Sequence, residues 1–240
     1  MRHFLIIFMI LIWSGQLLSF EAHSEQTTLY LVRHGQTDWN IQGKLQGHAD
    51  IPLNNTGRAA AAGLSERIRE IDFDACFSSD LQRAIETARI LTATRPLIIQ
   101  SVPALRGRNY GFWEARLFSE FLEYEKGGQP FLNIESDAEI RKRIFPLLNE
   151  IVSNHPGAAI LIVTHGSVIR NLLAHLLNID SPSILSIQTN TVATLQLVAS
   201  NGQYSVREIT DIQIHTDGKF DMQVLESGFL CDKAKNPRLP

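Results

Sequence analysis

The chain has 240 residues, 44% hydrophobic and 20% charged, which suits one globular domain and excludes a disordered tail, a collagen-like repeat or a disulfide-dense miniprotein. Cys76 and Cys231 are the only cysteines, so any bridge would be single and could not be the main staple. Lys and Arg number 22 against 25 Asp and Glu, a net charge of −3 with no basic stripe, which argues against nucleic acid as a partner.

The start of the chain differs from the rest. Arg2 precedes an apolar run over residues 4–13, followed by Ser14-Gly15-Gln16, Leu17-Leu18 and Ala22-His23-Ser24. A charged start, a short apolar core and a small-x-small exit predict a secretory signal peptide over residues 1–24, cleaved after Ser24. The protein is then expected to be secreted or periplasmic, with no stable membrane contact after cleavage. Left uncleaved, residues 4–20 approach the ~18–20 residues of a membrane span and would act as an anchor. The polar break at Ser14-Gly15-Gln16 favours cleavage, which removes Arg2 and Glu21 and leaves the net charge unchanged.

From Thr28 onward short apolar runs alternate with amphipathic stretches. Residues 29–32 read as a strand apolar on both faces, as a buried parallel strand should be. A helix over 57–70 follows Thr56 as N-cap and lines up Ala60, Leu64 and Ile68. A strand over 73–77 carries Cys76 as a small buried hydrophobe. The next helix, 80–92, has Ser79 as N-cap and Gln82 completing a capping box. A strand over 97–99, a helix over 136–154, a strand over 160–163 and a helix over 167–177 follow, the last with Val168, Ile169, Leu172, Leu173 and Leu176 facing inward. Residues 192–198 read as a further strand. Strands alternating with helices predict an α/β fold, a three-layer α/β/α sandwich with a mostly parallel central sheet, over a domain at 25–211. Residues 212–240 form a C-terminal extension in which Asp217-Gly218 suggests a hairpin turn and residues 233–240 are polar enough to fray.

In such sheets, ligands bind beyond the carboxyl ends of the strands. Three strand exits carry candidate chemistry: Arg33-His34-Gly35, Ser78-Ser79-Asp80-Leu81-Gln82-Arg83 and Thr164-His165-Gly166. Arginine offers a permanently charged fork of donors that matches phosphate oxygens. Arg83 lies in the first turn of its helix, where free N–H groups also favour an anion, although it could simply pair with Glu86. Gly35 and Gly166 allow a ligand to approach the backbone. The combination suits a phosphoryl group.

Arg33-His34-Gly35-Gln36-Thr37-Asp38-Trp39-Asn40 resembles the signature of the histidine phosphatase superfamily, in its phosphoglycerate mutase-like branch. The similarity continues through Gln46-Gly47, Pro52-Leu53, Gly57, Ser78-Ser79-Asp80-Leu81-Gln82-Arg83-Ala84, Glu86-Thr87-Ala88 and Val163-Thr164-His165-Gly166, and spans residues 28 to 211. The resemblance implies that His34 is a nucleophile that forms a phosphohistidine, with Arg33, Arg83 and His165 holding the equatorial oxygens. Asn40 would line the phosphate site and Gln46, Gly47 and Gly166 would contact substrate. His34 must be neutral at its attacking nitrogen, its other N–H being held by an acceptor such as the Gly35 carbonyl. No metal and no cofactor are expected: His48, His155, His175 and His215 have no zinc-like spacing, and there is no glycine-rich phosphate loop. The expected partner is a small-molecule phosphate ester.

One stretch departs from the pattern. The branch usually carries Leu-x-Glu-x-x-x-Gly-x-x-Glu, whose first Glu protonates the leaving oxygen. Here Leu105-Arg106-Gly107-Arg108-Asn109-Tyr110-Gly111-Phe112-Trp113-Glu114 puts Gly107 in that place. The Asp that another branch places after its second His is here Gly166. General acid catalysis contributes ~10²–10⁴-fold, so alkyl phosphates should suffer and good leaving groups should not. Three readings stand: an exported phosphomonoesterase, impaired or using Glu114 as substitute acid; a mutase-type phosphotransferase; and a pseudoenzyme that binds phosphoesters without turnover. Tyr110, Phe112, Trp113, Phe118, Phe121, Tyr124 and Phe131 suggest an apolar-lined pocket for a bulky organic phosphate.

Overall fold

The computed structural model describes residues 26–95, 97–128, 133–179, 185–187, 194–200, 203–210 and 212–214. Residues 1–24, Phe131, the Asp217-Gly218 turn and Cys231 lie outside the described residues.

Strand β1 (Thr27–Arg33) is followed by a single helical turn, α1 (Asp38–Ile41), and helix α2 (Asn55–Arg67). Strand β2 (Ala75–Ser78), helix α3 (Gln82–Leu91) and strand β3 (Ile99–Ser101) come next. Short 3₁₀ turns at Pro103–Leu105 and Gly111–Trp113 lead to α4 (Phe118–Lys126) and α5 (Asp137–Asn154). Then follow β4 (Ala159–Thr164), α6 (Gly166–Leu176), β5 (Leu185–Ile187), β6 (Thr194–Ser200), β7 (Gln203–Thr210) and β8 (Ile212–Ile214). The central sheet has six strands in the order β3-β2-β4-β1-β6-β7, and β5 and β8 form a separate pair. β3, β2, β4 and β1 are mutually parallel, whereas β6 and β7 extend the sheet antiparallel.

Strand alternation divides the core between the two faces of this sheet. Leu29, Leu31, Ile160 and Ile162 face α5 and α6, packing on Ile140, Ile144, Leu148, Ile169 and Leu172. Val32, Cys76, Leu161 and Val163 face α2 and α3, packing on Leu64, Ala84, Ala88 and Leu91. The expected three-layer sandwich is therefore present. Cys76 is fully buried there, and burial pushes its thiol up to about 12.

Several element boundaries differ from the sequence expectation, each for a tertiary reason. Helix α2 is capped by Asn54, not Thr56: its side-chain oxygen accepts the Gly57 N–H at 2.9 Å. Helix α3 starts at Gln82 rather than Asp80, and Ser79 does not cap it. The Asp50 carboxylate, distant in sequence, accepts the Gln82 N–H at 2.6 Å instead. β7 is the unforeseen partner of β6. A bulge at Gln196/Leu197 leaves Arg207 between the residues paired with them, so the apolar positions Tyr204, Val206 and Ile209 lose the period of two that marks a strand. The Ser136–Glu139 capping box of α5 forms as the sequence predicts.

The parallel register places the functional segments. Arg33 lies opposite Thr164, and Ser78 opposite Val163. Hydrogen bonding continues past the strand ends, His34 N–H to the Thr164 carbonyl and Ser79 N–H to the Val163 carbonyl, both at 2.9 Å. The loop after His34 then passes directly over the first turn of α2. A Cβ on Gly35 would stand 2.6 Å from the Gly57 carbonyl oxygen, and one on Gly57 would stand 2.6 Å from the Gln36 nitrogen. Gly57→Ala is expected to destabilise the protein by about 1–3 kcal/mol through overpacking. Gly63, on the same helix with open space around its Cβ position, is the control. Gly63→Ala should stabilise by roughly 0.5–1 kcal/mol through helix propensity. Urea unfolding of the two variants checks both signs.

Candidate active site

The sheet edge brings together the four residues on which the sequence reading rests. The His34 and His165 rings lie 4.9 Å apart, centroid to centroid, with planes inclined at 61°. Arg33, His34, Arg83 and His165 are all buried, Arg83 with only 1% of its surface exposed. His34 Nδ1 lies 2.7 Å from the Gly35 carbonyl oxygen. A carbonyl only accepts, so Nδ1 carries the proton and Nε2 keeps its lone pair.

Both imidazoles are held well below the usual histidine range, first by burial and then by the positive charge of Arg83. They are neutral at physiological pH, as a nitrogen nucleophile requires. Burial also draws Arg33 and Arg83 down to about 10, and both remain cationic at neutral pH. Arg170, on α6, adds to the positive field on Arg33. Asp50 and Glu114 act on Arg83 in the opposite sense. The hollow is thus a desolvated, positively charged site with neutral bases inside it, an environment that favours a bound anion.

Arg83 is oriented by the rim loop. Its Nη1 donates to the Ala49 carbonyl at 2.7 Å and its Nη2 to the Gly47 carbonyl at 2.8 Å. The remaining Nε–H is buried with no partner among the described residues, a donor that lacks an acceptor. The Gln46 side-chain oxygen is likewise buried and unpartnered. Gly47 has φ +53°, and a Cβ there would overlap the Glu114 carboxylate.

Glu114, the candidate substitute acid, is engaged as a clamp on this loop. Its Oε1 accepts the His48 N–H at 2.7 Å and the Tyr110 N–H at 3.4 Å. Asn40 closes the capping box of α1, its side-chain oxygen accepting the Thr37 N–H at 3.0 Å, which leaves only its Nδ2–H group for a ligand. Gly166 is the first residue of α6, with His165 in the N-cap position. Glu86 pairs with Arg58 at 2.6 Å rather than with Arg83. Among the described residues, no three metal-ligating side chains gather at one point.

Three site features were not legible beforehand. Ser79, read as a helix cap, instead has its hydroxyl 2.9 Å from His165 Nε2 and so fixes that ring. Gly107 packs against His165: a Cβ added to it would lie 3.1 Å from His165 Cβ and Cγ. The Gly107 carbonyl accepts from Arg143 Nη2 at 3.0 Å and from His48 Nε2 at 3.1 Å. The third concerns the aromatic segment, which packs largely on itself, Phe121 meeting Tyr110, Trp113 and Phe118. Beside it lies a cavity of about 470 Å³ with a polar lining that includes His48, Arg106, Asn109, Glu135 and Arg143. Among the described residues, the aromatic side chains of this segment do not line that cavity.

A sheet edge of this kind, with a histidine after the first strand facing a second histidine at the exit of the adjacent strand β4, defines a class. Residues 29–212 match the profile of the histidine phosphatase superfamily, branch 1. The chain belongs to that superfamily. It is 36% identical over 151 residues to the uncharacterized phosphatase PhoE of Bacillus subtilis, covering 62% of this chain and 77% of that protein. It is 32% identical over 187 residues to a metal-independent phosphoserine phosphatase of Arabidopsis thaliana, covering 72% and 78% respectively. Among solved structures, YhfR of Bacillus stearothermophilus superposes with a TM-score of 0.67 at 29% identity, over 75% of this chain and 95% of that one. A phosphoglycerate mutase from Bacillus anthracis gives 0.66 at 25%, over 85% and 97%.

The lowered histidines make stability depend on pH. Unfolding returns both rings to an ordinary value near ~6.5, where they bind protons that the folded state refuses. Their contribution is intact above that pH and is lost as pH falls below it towards the lowered folded values. The slope is at most about 1.4 kcal/mol per pH unit for each ring. Urea unfolding between pH 7.5 and 5.5 should show this loss, and a His34→Asn, His165→Asn double variant should flatten it. Separately, Gly47→Ala should lower affinity for inorganic vanadate at least ~10-fold, because displacing Glu114 releases the loop that orients Arg83.

Proposed function

We propose that this protein is a phosphoric monoester hydrolase that works through a phosphohistidine on His34. The observation that carries the reading is the neutral His34 ring, its Nδ1–H tied to the Gly35 carbonyl and its Nε2 free, beside His165 and two buried guanidinium groups. Nε2 attacks phosphorus in line with the leaving oxygen, and the bond from phosphorus to that oxygen breaks. Arg33 and Arg83 hold the non-bridging oxygens, whose charge the site is already arranged to accept. His165, oriented by Ser79, is the second imidazole against the phosphoryl group. Water then attacks the N–P bond, releasing inorganic phosphate and restoring His34.

The printed descriptions of the relatives, a phosphatase of Bacillus subtilis and a phosphoserine phosphatase of Arabidopsis thaliana, support hydrolysis. The polar cavity beside the site favours a small phosphate ester with a polar leaving group. The residue order of segment 1–24 supports action outside the cytoplasm, with the domain freed by cleavage after Ser24 or tethered if the segment is kept.

Gly107 favours a second reading, a phosphoester-binding protein without turnover, because no carboxylate side chain stands there. Phosphate release from p-nitrophenyl phosphate separates the two. The enzyme should turn it over and trap a labelled phosphohistidine, and His34→Ala should abolish both. Binding of vanadate with no His34-dependent release would establish the second reading. Arg83→Ala should lower kcat/KM by roughly 10²–10³-fold, as loss of a transition-state donor does.

A further inference from the structure

The vacancy at position 107 raises the question of which group protonates the leaving oxygen. His48 stands beside it. The carbonyls on either side of His48, those of Gly47 and Ala49, both receive the Arg83 guanidinium. Its own N–H is held by Glu114, and its Nε2 lies 3.1 Å from the Gly107 carbonyl oxygen. Gly107 in turn presents its α-carbon hydrogens to His165, at 3.1 Å from where a Cβ would be. The backbone on either side of His48 thus holds the arginine of the phosphate hollow, while its ring meets the residue at which the resemblance places the missing carboxylate.

We propose that His48 is the general acid of this enzyme: an imidazolium N–H of His48 protonates the leaving oxygen as its bond to phosphorus breaks. The inference rests on the phosphohistidine reading above. In the first half-reaction His34 Nε2 forms the N–P bond, the ester P–O bond breaks and its electron pair goes to the leaving oxygen, which takes the proton and departs as an alcohol. His48 is left neutral. In the second half-reaction it takes a proton from the water that attacks phosphorus, the N–P bond breaks and both histidines return to their starting states.

Three details favour this assignment. The contact to Gly107 is at the long end of the N–H···O range, so exchanging that acceptor for a leaving oxygen costs little. Arg143 also donates to the Gly107 carbonyl, which therefore stays satisfied when His48 turns away. The ring is half-buried and lines the polar cavity, so it is open to a polar group entering from that side. By contrast, both N–H groups that reach Glu114 converge on one oxygen and bind it to the rim, and the Ser79 hydroxyl is taken by His165.

The test is a leaving-group series, from p-nitrophenyl phosphate to simple alkyl phosphates, run on the whole protein, on His48→Gln and on His48→Glu. Glutamine keeps an N–H for the Gly107 carbonyl but cannot deliver a proton. His48→Gln should lose about 10²–10⁴-fold in kcat/KM on alkyl phosphates and less than about threefold on p-nitrophenyl phosphate, steepening the leaving-group dependence. Retained kcat/KM on p-nitrophenyl phosphate also shows that the variant is folded. His48→Glu, which supplies another acid, should recover part of the alkyl activity. Equal losses across the series, or none, would overturn the assignment, as would a dependence in the unmodified protein as steep as that of His48→Gln. Should His48→Gln not fold, the slopes of the unmodified protein and His48→Glu decide between the same outcomes. Failure of the underlying reading is separate: it would appear as turnover that survives His34→Ala.

Discussion

The molecule depends on the parallel register of β2, β4 and β1. Because these three strands end level, the residues that leave them, Ser79, His165 and His34, meet at one edge, and each loop begins from a backbone hydrogen bond to its neighbour. A shift of one residue would swap each strand's side chains between the two core layers, so the packing that fills those layers also holds the site in register. The positions of the histidines are thereby tied to the stability of the whole sheet and not to a flexible loop.

On that edge the fold gathers charge that burial opposes. Arg33 and Arg83 are both desolvated, and the rings between them lose their protons as a result. A bound anion would offset these costs by supplying negative charge to the guanidinium groups. On the phosphohistidine reading, the site is preorganised for such an anion.

A second layer keeps the first in place. Glu114 restrains the loop at 47–48, that loop orients Arg83, Thr87 links the Gly35 N–H to the Arg83 carbonyl, and Arg143 bridges Gly107 to Glu135. The positive φ of Gly47 and the close passage of Gly35 over Gly57 show how little room this arrangement leaves for side chains. Gly107 belongs to the same packing, since the space next to its α-carbon is filled by His165.

The sequence alone determined the sandwich, its parallel strands and the placing of His34, Arg33, Arg83 and His165 at strand exits or in the helix turn after one, because a strand's apolar face, the polar residue at its exit and the helix after it are local patterns. Tertiary structure decided what those patterns could not contain. Asp50 caps α3 and thereby frees Ser79 to hold His165; Glu114 clamps the backbone of His48; the bulge opposite Arg207 hides β7 from any test of period. The first two depend on hydrogen bonds between residues far apart in the chain, which leave no spacing to be read, and the third on an extra residue that breaks the spacing. The same is true of His48, which by spacing alone was only a histidine unsuited to zinc and by position is the imidazole that donates to the Gly107 carbonyl.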